Sequence, residues 1–217
     1  MPLLLIDLDD TLIDRTAAFR LGVLDLLARH ELPAGEVDWV VALDAEGETP
    51  RNAVAAAVIE RFGLTLSVAT IAESLRHGVV EHASLDDATA HALEEAGNTG
   101  WVPVIVTNGT TRQQEAKITA VGLDEIVAGW VISEAAGFAK PDREIFRIAA
   151  RLVDLSLSDA WMLGDNPEKD IAGATALGIR TVWLARGRHW PHATFGPSFV
   201  ADGPAEAIEH VLRGSRA

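Results

Sequence analysis

Short apolar runs that stop at polar clusters recur along the chain, with helical spacing between them. Leu3 to Ile6 is continuously apolar and ends at Asp7. A run of that kind predicts a strand buried on both faces. Trp101 to Val106, Ala160 to Leu163 and Arg180 to Leu184 read the same way, each short, largely apolar and partly β-branched. Ile126 to Ile132 is a weaker case, and Ser198 to Ala201 adds a last edge strand. Helical patterns fill the intervals: Asp86 to Ala96, Thr111 to Val121, Pro141 to Val153, Lys169 to Leu177 and Ala205 to Leu212. Gly122 and Gly178 close two of them, and Pro141 stands near the start of a third, where a missing N–H costs least.

Strands that alternate with helices predict an α/β fold, a parallel sheet with helices on both faces. Right-handed crossovers make it a doubly wound, Rossmann-like sheet. One stretch breaks the rhythm. From Arg15 to Leu85 no strand is evident, whereas Arg15 to His30, Arg51 to Phe62 and Val68 to His82 carry helical spacing of Leu, Val, Ile and Ala. Leu32 to Gly35 and Ala45 to Pro50 read as loops between them. The expected organisation is an α/β core over 1–14 and 86–217, with a helical insertion over 15–85 directly after the first strand.

Composition narrows the function classes. The formal charge is -14. No dense Lys/Arg run is present to displace counterions from a nucleic acid, so nucleic-acid docking is not expected. The same acidity opposes an anionic substrate, so local cations must overcome the global field, which points to a bound metal. There is no cysteine, hence no thiolate nucleophile and no Cys-ligated zinc. No apolar run approaches the ~20 residues of a membrane span. Met1 to Ile6 lacks the charged start and cleavage site of a signal peptide. A cytoplasmic setting is expected.

In open parallel sheets ligands bind beyond the carboxyl ends of the strands. After the first strand comes Asp7-Leu8-Asp9-Asp10-Thr11, after the second Thr107-Asn108-Gly109. Gly137-Phe138-Ala139-Lys140-Pro141 precedes a helix, and Gly164-Asp165-Asn166-Pro167-Glu168-Lys169-Asp170 follows the fourth apolar run. Singly, each has a plain structural account: an acidic helix cap, a polar turn, a solvated lysine, a loop followed by a cap. Together they place four acids, a lysine and a hydroxyl–amide–glycine turn at one sheet edge. Such acids repel unless a cation with oxygen ligands, such as Mg2+, joins them. Lys140 sits where the helix dipole does not favour a cation, which suggests an anion that needs it.

The order and placement of these segments resemble the four motifs of the haloacid dehalogenase superfamily, in its phosphatase branch. The first motif is matched by Leu4 to Leu12, the second by Val106 to Gly109, the third by Lys140-Pro141 with Ile145-Phe146, the fourth by Gly164-Asp165 with Asp170. The insertion looks like that superfamily's first type of cap. The resemblance implies Asp7 as nucleophile and Asp9 as the acid that protonates the leaving oxygen and then deprotonates water. It implies Mg2+ held by Asp7, the main-chain carbonyl of Asp9, and Asp165. Asp170 would act on the metal through water or by orienting Lys140. Thr107 and the N–H groups of Asn108 and Gly109 would grip the phosphoryl oxygens, with Lys140 balancing their charge. Crowding by neighbouring carboxylates would favour a proton on Asp9.

The implied reaction is hydrolysis of a small-molecule phosphate monoester through an aspartyl-phosphate. The cap must read the rest of the substrate, and Arg51 or Asn52, in its most polar turn, is the candidate; an ordinary interhelical loop is the other account of that turn. Arg15 and Arg20 are weaker candidates. A phosphomutase shares the first half of this chemistry. A dehalogenase needs no acid at the position of Asp9, and a non-catalytic binding module would not need every chemical position filled. The six tryptophans read as packing, with Trp190 in a late loop, Arg186 to His192, that borders the cleft or a partner. The chain is expected to work as a monomer or homodimer.

Overall fold

The computed structural model describes residues 1–214. It divides into two compact units: Met1–Ile13 with the chain from Leu85 onward, and Asp14–Ser84.

The first unit is built on six parallel strands: β1 (Leu3–Ile6), β2 (Val102–Thr107), β3 (Gly129–Ile132), β4 (Trp161–Gly164), β5 (Arg180–Leu184) and β6 (Phe199–Ala201). Their spatial order is β3-β2-β1-β4-β5-β6. All four residues of β1 are fully buried, because β1 lies mid-sheet and both of its faces are covered. Leu3 and Leu5 join Val104, Val106, Met162, Ile145, Phe146 and Ala149 in one apolar cluster. The strand order reverses between β1 and β4, and it is at the carboxyl ends of the strands beside such a switch point that open α/β sheets bind ligands. Ile6 pairs with Ile105 on one side and with Leu163 on the other. Asp7 therefore leaves the sheet level with the ends of β2 and β4.

In chain order the α-helices are α1 (Arg15–Arg29), α2 (Val37–Asp44), α3 (Arg51–Phe62), α4 (Val68–Glu81), α5 (Asp87–Asn98), α6 (Thr111–Ala120), α7 (Ser133–Ala136), α8 (Arg143–Leu152), α9 (Gly173–Thr175) and α10 (Pro204–Gly214). Several open on side-chain caps that satisfy orphan N–H groups. Asp14 accepts from Ala17 N, Ser67 from Thr70 N, Asp86 from Thr89 N and Asp142 from Glu144 N.

The second unit contains α1 to α4 around Phe19, Val23, Leu26, Leu27, Val54, Val58, Ile71, Leu75 and Val79. These positions recur at helical spacing on α1, α3 and α4, which is why the sequence reads as helical there. The pattern missed α2, a short helix of eight residues with few strong helix formers. Its buried residues Val37, Val40 and Asp44 do keep a helical period.

A second departure lies after β4. The helix expected over Lys169 to Leu177 begins earlier, as a π-helical turn over Pro167–Ala172, and passes into α9. Asn166 caps it, accepting from Glu168 N and Lys169 N. Single π-turns are often found at functional sites, and this one carries Asp170.

Candidate active site

Asp7 stands at the end of β1, its main-chain N–H donating to Leu163 O at 2.9 Å. Lys140 Nζ donates to Asp7 Oδ1 at 2.5 Å and lies 2.7 Å from Asp170 Oδ1. Lys140 and both acids are buried. Burial works against the ammonium charge, but the carboxylates of Asp170 and Asp7 outweigh it and hold the Lys140 pKa above its usual value.

Lys140 reaches this place because its backbone is clamped. Asn108 Nδ2 donates to Lys140 O at 2.9 Å, and Lys140 N donates to Asn108 Oδ1 at 2.8 Å. The side-chain amide that suits a phosphate by type alone is therefore spent on positioning Lys140. The Gly109 N–H donates to Ser133 Oγ at 2.9 Å, a contact that a phosphoryl oxygen would have to replace. Gly109 has φ +150°, and a Cβ there would lie 2.9 Å from Gln114 Cδ. Glycine is required both for that backbone shape and for the approach of Gln114.

Asp170 is fully buried. Its Oδ2 accepts from Asn166 N at 3.0 Å, so the turn after β4 folds around this carboxylate. Asp165 N donates to Thr11 Oγ1 at 3.1 Å, which ties that turn to the one after β1. Trp183 Nε1 donates to Asp165 O at 2.8 Å, so this tryptophan orients the site as well as packing.

Carboxylate oxygens of Asp7, Asp165 and Asp170 all lie within 4.8 Å of one another. Burial foremost pushes the Asp7 pKa up to about 7; Asp170 and Asp9 add to the rise, and Lys140 opposes it. Burial likewise pushes Asp165 up to about 8, with help from Asp7 and Asp170 and against the pull of Arg188. The lysine thus does not offset the effect of burial on these acids. Three hard oxygen donors clustered and largely shielded from water fit a divalent cation such as magnesium.

Asp9 departs from expectation. Beside the acids it meets a cation: Lys117 Nζ donates to both Asp9 Oδ1 and Oδ2 at 2.6 Å. Gln114 Nε2 adds a contact to Asp9 Oδ2 at 3.0 Å. Crowding by carboxylates is therefore not the sole influence on this residue. Neither α6 side chain was singled out in the sequence, because a Lys and a Gln on a polar helix carry no local signal. Arg186 and Arg188 come from the loop after β5, where the sequence pattern marks the loop and neither arginine by itself. Arg186 Nη1 donates to Asp10 Oδ1 at 2.8 Å, and Arg188 Nη2 donates to Asp165 O at 2.9 Å and Oδ2 at 3.1 Å. Trp190 of the same loop packs edge-on against Trp183 and Phe195.

The Arg51 and Asn52 candidates lie in the other unit. Arg51 Nη1 donates to buried Asp44 at 2.6 Å, and its guanidinium stacks 4.4 Å over Phe19. Arg15 engages the same carboxylate. Asn52 Oδ1 accepts from Arg76 at 3.3 Å. Arg20 pairs with Asp38 on the exposed surface.

Parallel strands in the order 3-2-1-4-5-6, with acids and a lysine gathered at the switch point, define a doubly wound α/β protein with its polar site where such sheets bind ligands. The model of the haloacid dehalogenase-like hydrolases matches residues 1–178, and the chain belongs to that family. Among curated proteins it is 38% identical over 95 residues to the phosphoserine phosphatase of Thermus thermophilus, covering 44% of this chain and 38% of that protein. It is 39% identical over 103 residues to the ribulose-1,5-bisphosphate 5-phosphatase of Halopiger xanaduensis, covering 48% and 43%. The matches thus span about two-fifths of the length of these relatives. The magnesium-bound crystal structure of the HAD hydrolase YfnB of Bacillus subtilis superposes with a TM-score of 0.76 at 25% identity, covering 97% of this chain and 98% of that one. Among the described residues, no helix is long and apolar enough to cross a membrane.

Proposed function

We propose that the chain is a magnesium-dependent phosphatase, hydrolysing a small-molecule phosphate monoester through a phosphoryl group carried on Asp7. The observation that carries this reading is Lys140 bridging Asp7 and Asp170 beside Asp165, at the switch point of the sheet. Side chains of Asp7 and Asp165 and the main-chain carbonyl of Asp9 would hold the magnesium, with Asp170 behind them. When bound, the ion supplies positive charge against the phosphoryl oxygens and against the three acids.

The rest follows from the chain's own groups. An ionised carboxylate needs no base to attack phosphorus, which suits Asp7 as nucleophile. Lys140, kept protonated, faces the charge on the transferring group. The Thr107 hydroxyl accepts from Gln114 at 2.6 Å, which leaves its own hydrogen to donate to a phosphoryl oxygen. Main-chain N–H groups of Asn108 and Gly109 would complete that grip. Asp9 would give a proton to the leaving oxygen and then take one from the water that attacks the phosphoaspartate.

We propose that the insertion reads the non-reacting part of the substrate, through Arg51 or Asn52. Arg51 is suited to this because Asp44 and Phe19 hold its guanidinium in place. A cytoplasmic setting is part of the same proposal.

The test is phosphate release from a panel of small phosphate esters, with and without magnesium, by wild type and Asp7→Asn in parallel. Magnesium-dependent release by wild type alone is expected. Equal release by Asp7→Asn would overturn the nucleophile, and release that ignores added chelator would overturn the metal.

A further inference from the structure

Lys117 is a buried cation outside the four motifs. Its side chain is 2% exposed, and lysine is almost never buried to that degree unless paired. Its Nζ lies 2.6 Å from both oxygens of Asp9, a residue 108 positions away in the chain. Gln114 lies one turn earlier on α6, on the same helix face. Its Nε2 is 3.0 Å from Asp9 Oδ2, 2.6 Å from Thr107 Oγ1 and 3.2 Å from Asn108 O. α6 thus aims two side-chain donors at one carboxyl group and links that group to the turn after β2. The bare backbone of Gly109 is what lets Gln114 come in so close.

We propose that Lys117 and Gln114 are positioning residues that hold the Asp9 carboxyl group in line for proton transfer to the leaving oxygen. This rests on the reading of Asp9 as the acid. In the first step a bond forms between Asp7 and phosphorus, and the ester P–O bond breaks. The proton of Asp9 goes to the leaving oxygen, which departs as an alcohol. Asp9 is left as a carboxylate facing an ammonium already in contact with it, so the charge that develops there meets a fixed partner. In the second step water adds to phosphorus, passes its proton to Asp9, and the Asp7–phosphorus bond breaks to give inorganic phosphate. A purely structural ion pair would hold α6 against the loop after β1 and have no bearing on which ester is cleaved.

That contrast sets the experiment. An alkyl leaving group needs the proton, whereas p-nitrophenolate leaves without it. The full chain is assayed on p-nitrophenyl phosphate and on the best alkyl phosphate of the ester panel, as wild type, Lys117→Met, Gln114→Leu and Asp9→Asn. Lys117→Met is expected to lower kcat/KM, which reports the first step and not the second step common to both esters, by roughly 100-fold on the alkyl ester and by no more than about 3-fold on p-nitrophenyl phosphate. Gln114→Leu is expected to show the same split at roughly 10-fold, and it carries the test if Lys117→Met does not fold. Equal losses of kcat/KM on both esters in these two variants, alongside a split in Asp9→Asn, would overturn the positioning role alone. If Asp9→Asn itself shows no split, the acid role of Asp9 falls, and the inference falls with it.

Discussion

Gly164 and Asp170 are in such close approach that a Cβ on the glycine would lie 2.5 Å from the Cβ of the aspartate. Only hydrogen fits between the end of β4 and the buried carboxylate that holds Lys140. Gly164→Ala must therefore displace Asp170 or the strand. It should destabilise the protein by about 1–3 kcal/mol, as overpacking of a filled site does, and cut phosphate release sharply. Thermal unfolding and an activity assay check both; a variant that melts and turns over like wild type would mean the π-turn yields at no cost.

Lys140 is the second point of leverage. Removing it leaves Asp7 and Asp170 buried beside each other without their shared partner. Breaking a buried pair from one side costs about 3–5 kcal/mol. Lys140→Ala is expected to lose stability on that scale near neutral pH in the absence of magnesium. Denaturant unfolding with a magnesium titration would reveal a deficit that the ion partly offsets.

The raised pKa values of Asp7 and Asp165, about 7 and about 8 without metal, imply a pH dependence with a definite sign. Both lie above the ordinary 3.8. Across that interval the folded state binds more protons than the unfolded one, so these groups' contribution to stability falls as pH rises. It is fully present below the unfolded value and gone above the folded ones. A divalent cation must displace the same protons, so its affinity should rise through this window and level off beyond it. Melting curves at about pH 6 and about pH 8.5 should show a larger magnesium-induced rise in Tm at the higher pH. An equal rise at both would mean that the ion binds elsewhere.

Asp44 anchors Arg15 and Arg51 in the insertion and is 1% exposed. Asp44→Ala leaves two guanidinium groups without that carboxylate and should cost about 3 kcal/mol. Arg51→Ala should cost less, because Arg15 still engages Asp44, and should change the ranking of good and poor esters by kcat/KM. Unchanged discrimination would remove Arg51 from substrate selection.

Much of the architecture could be read along the chain. β1 and β5 fall where their apolar runs lie, and β2 and β4 are displaced by a single residue. Fully buried parallel strands leave such runs because both faces must be apolar. The acids and the lysine were also legible, since each lies next to a strand end or a helix start. α2 was not, because eight residues with modest propensity give a weak period and depend on α1 and α3 for burial. The roles of Asn108 and Gly164 were likewise hidden: an amide reads as a ligand until its partner is known, and a glycine reads as a turn until its neighbour is.

By itself the sequence determined the alternation of strands and helices, the helical character of the stretch that follows the first strand, and the set of polar groups that come after the strands. Those are consequences of local period and of position relative to strand ends. Tertiary structure alone decided the strand order, the clamp of Asn108 on Lys140, and the meeting of Lys117 and Gln114 with Asp9 across 108 and 105 residues. Periodicity records which face of an element is buried. It holds no record of which side chain on another element will stand opposite, because that is settled only when the sheet assembles and each buried charge must find its partner.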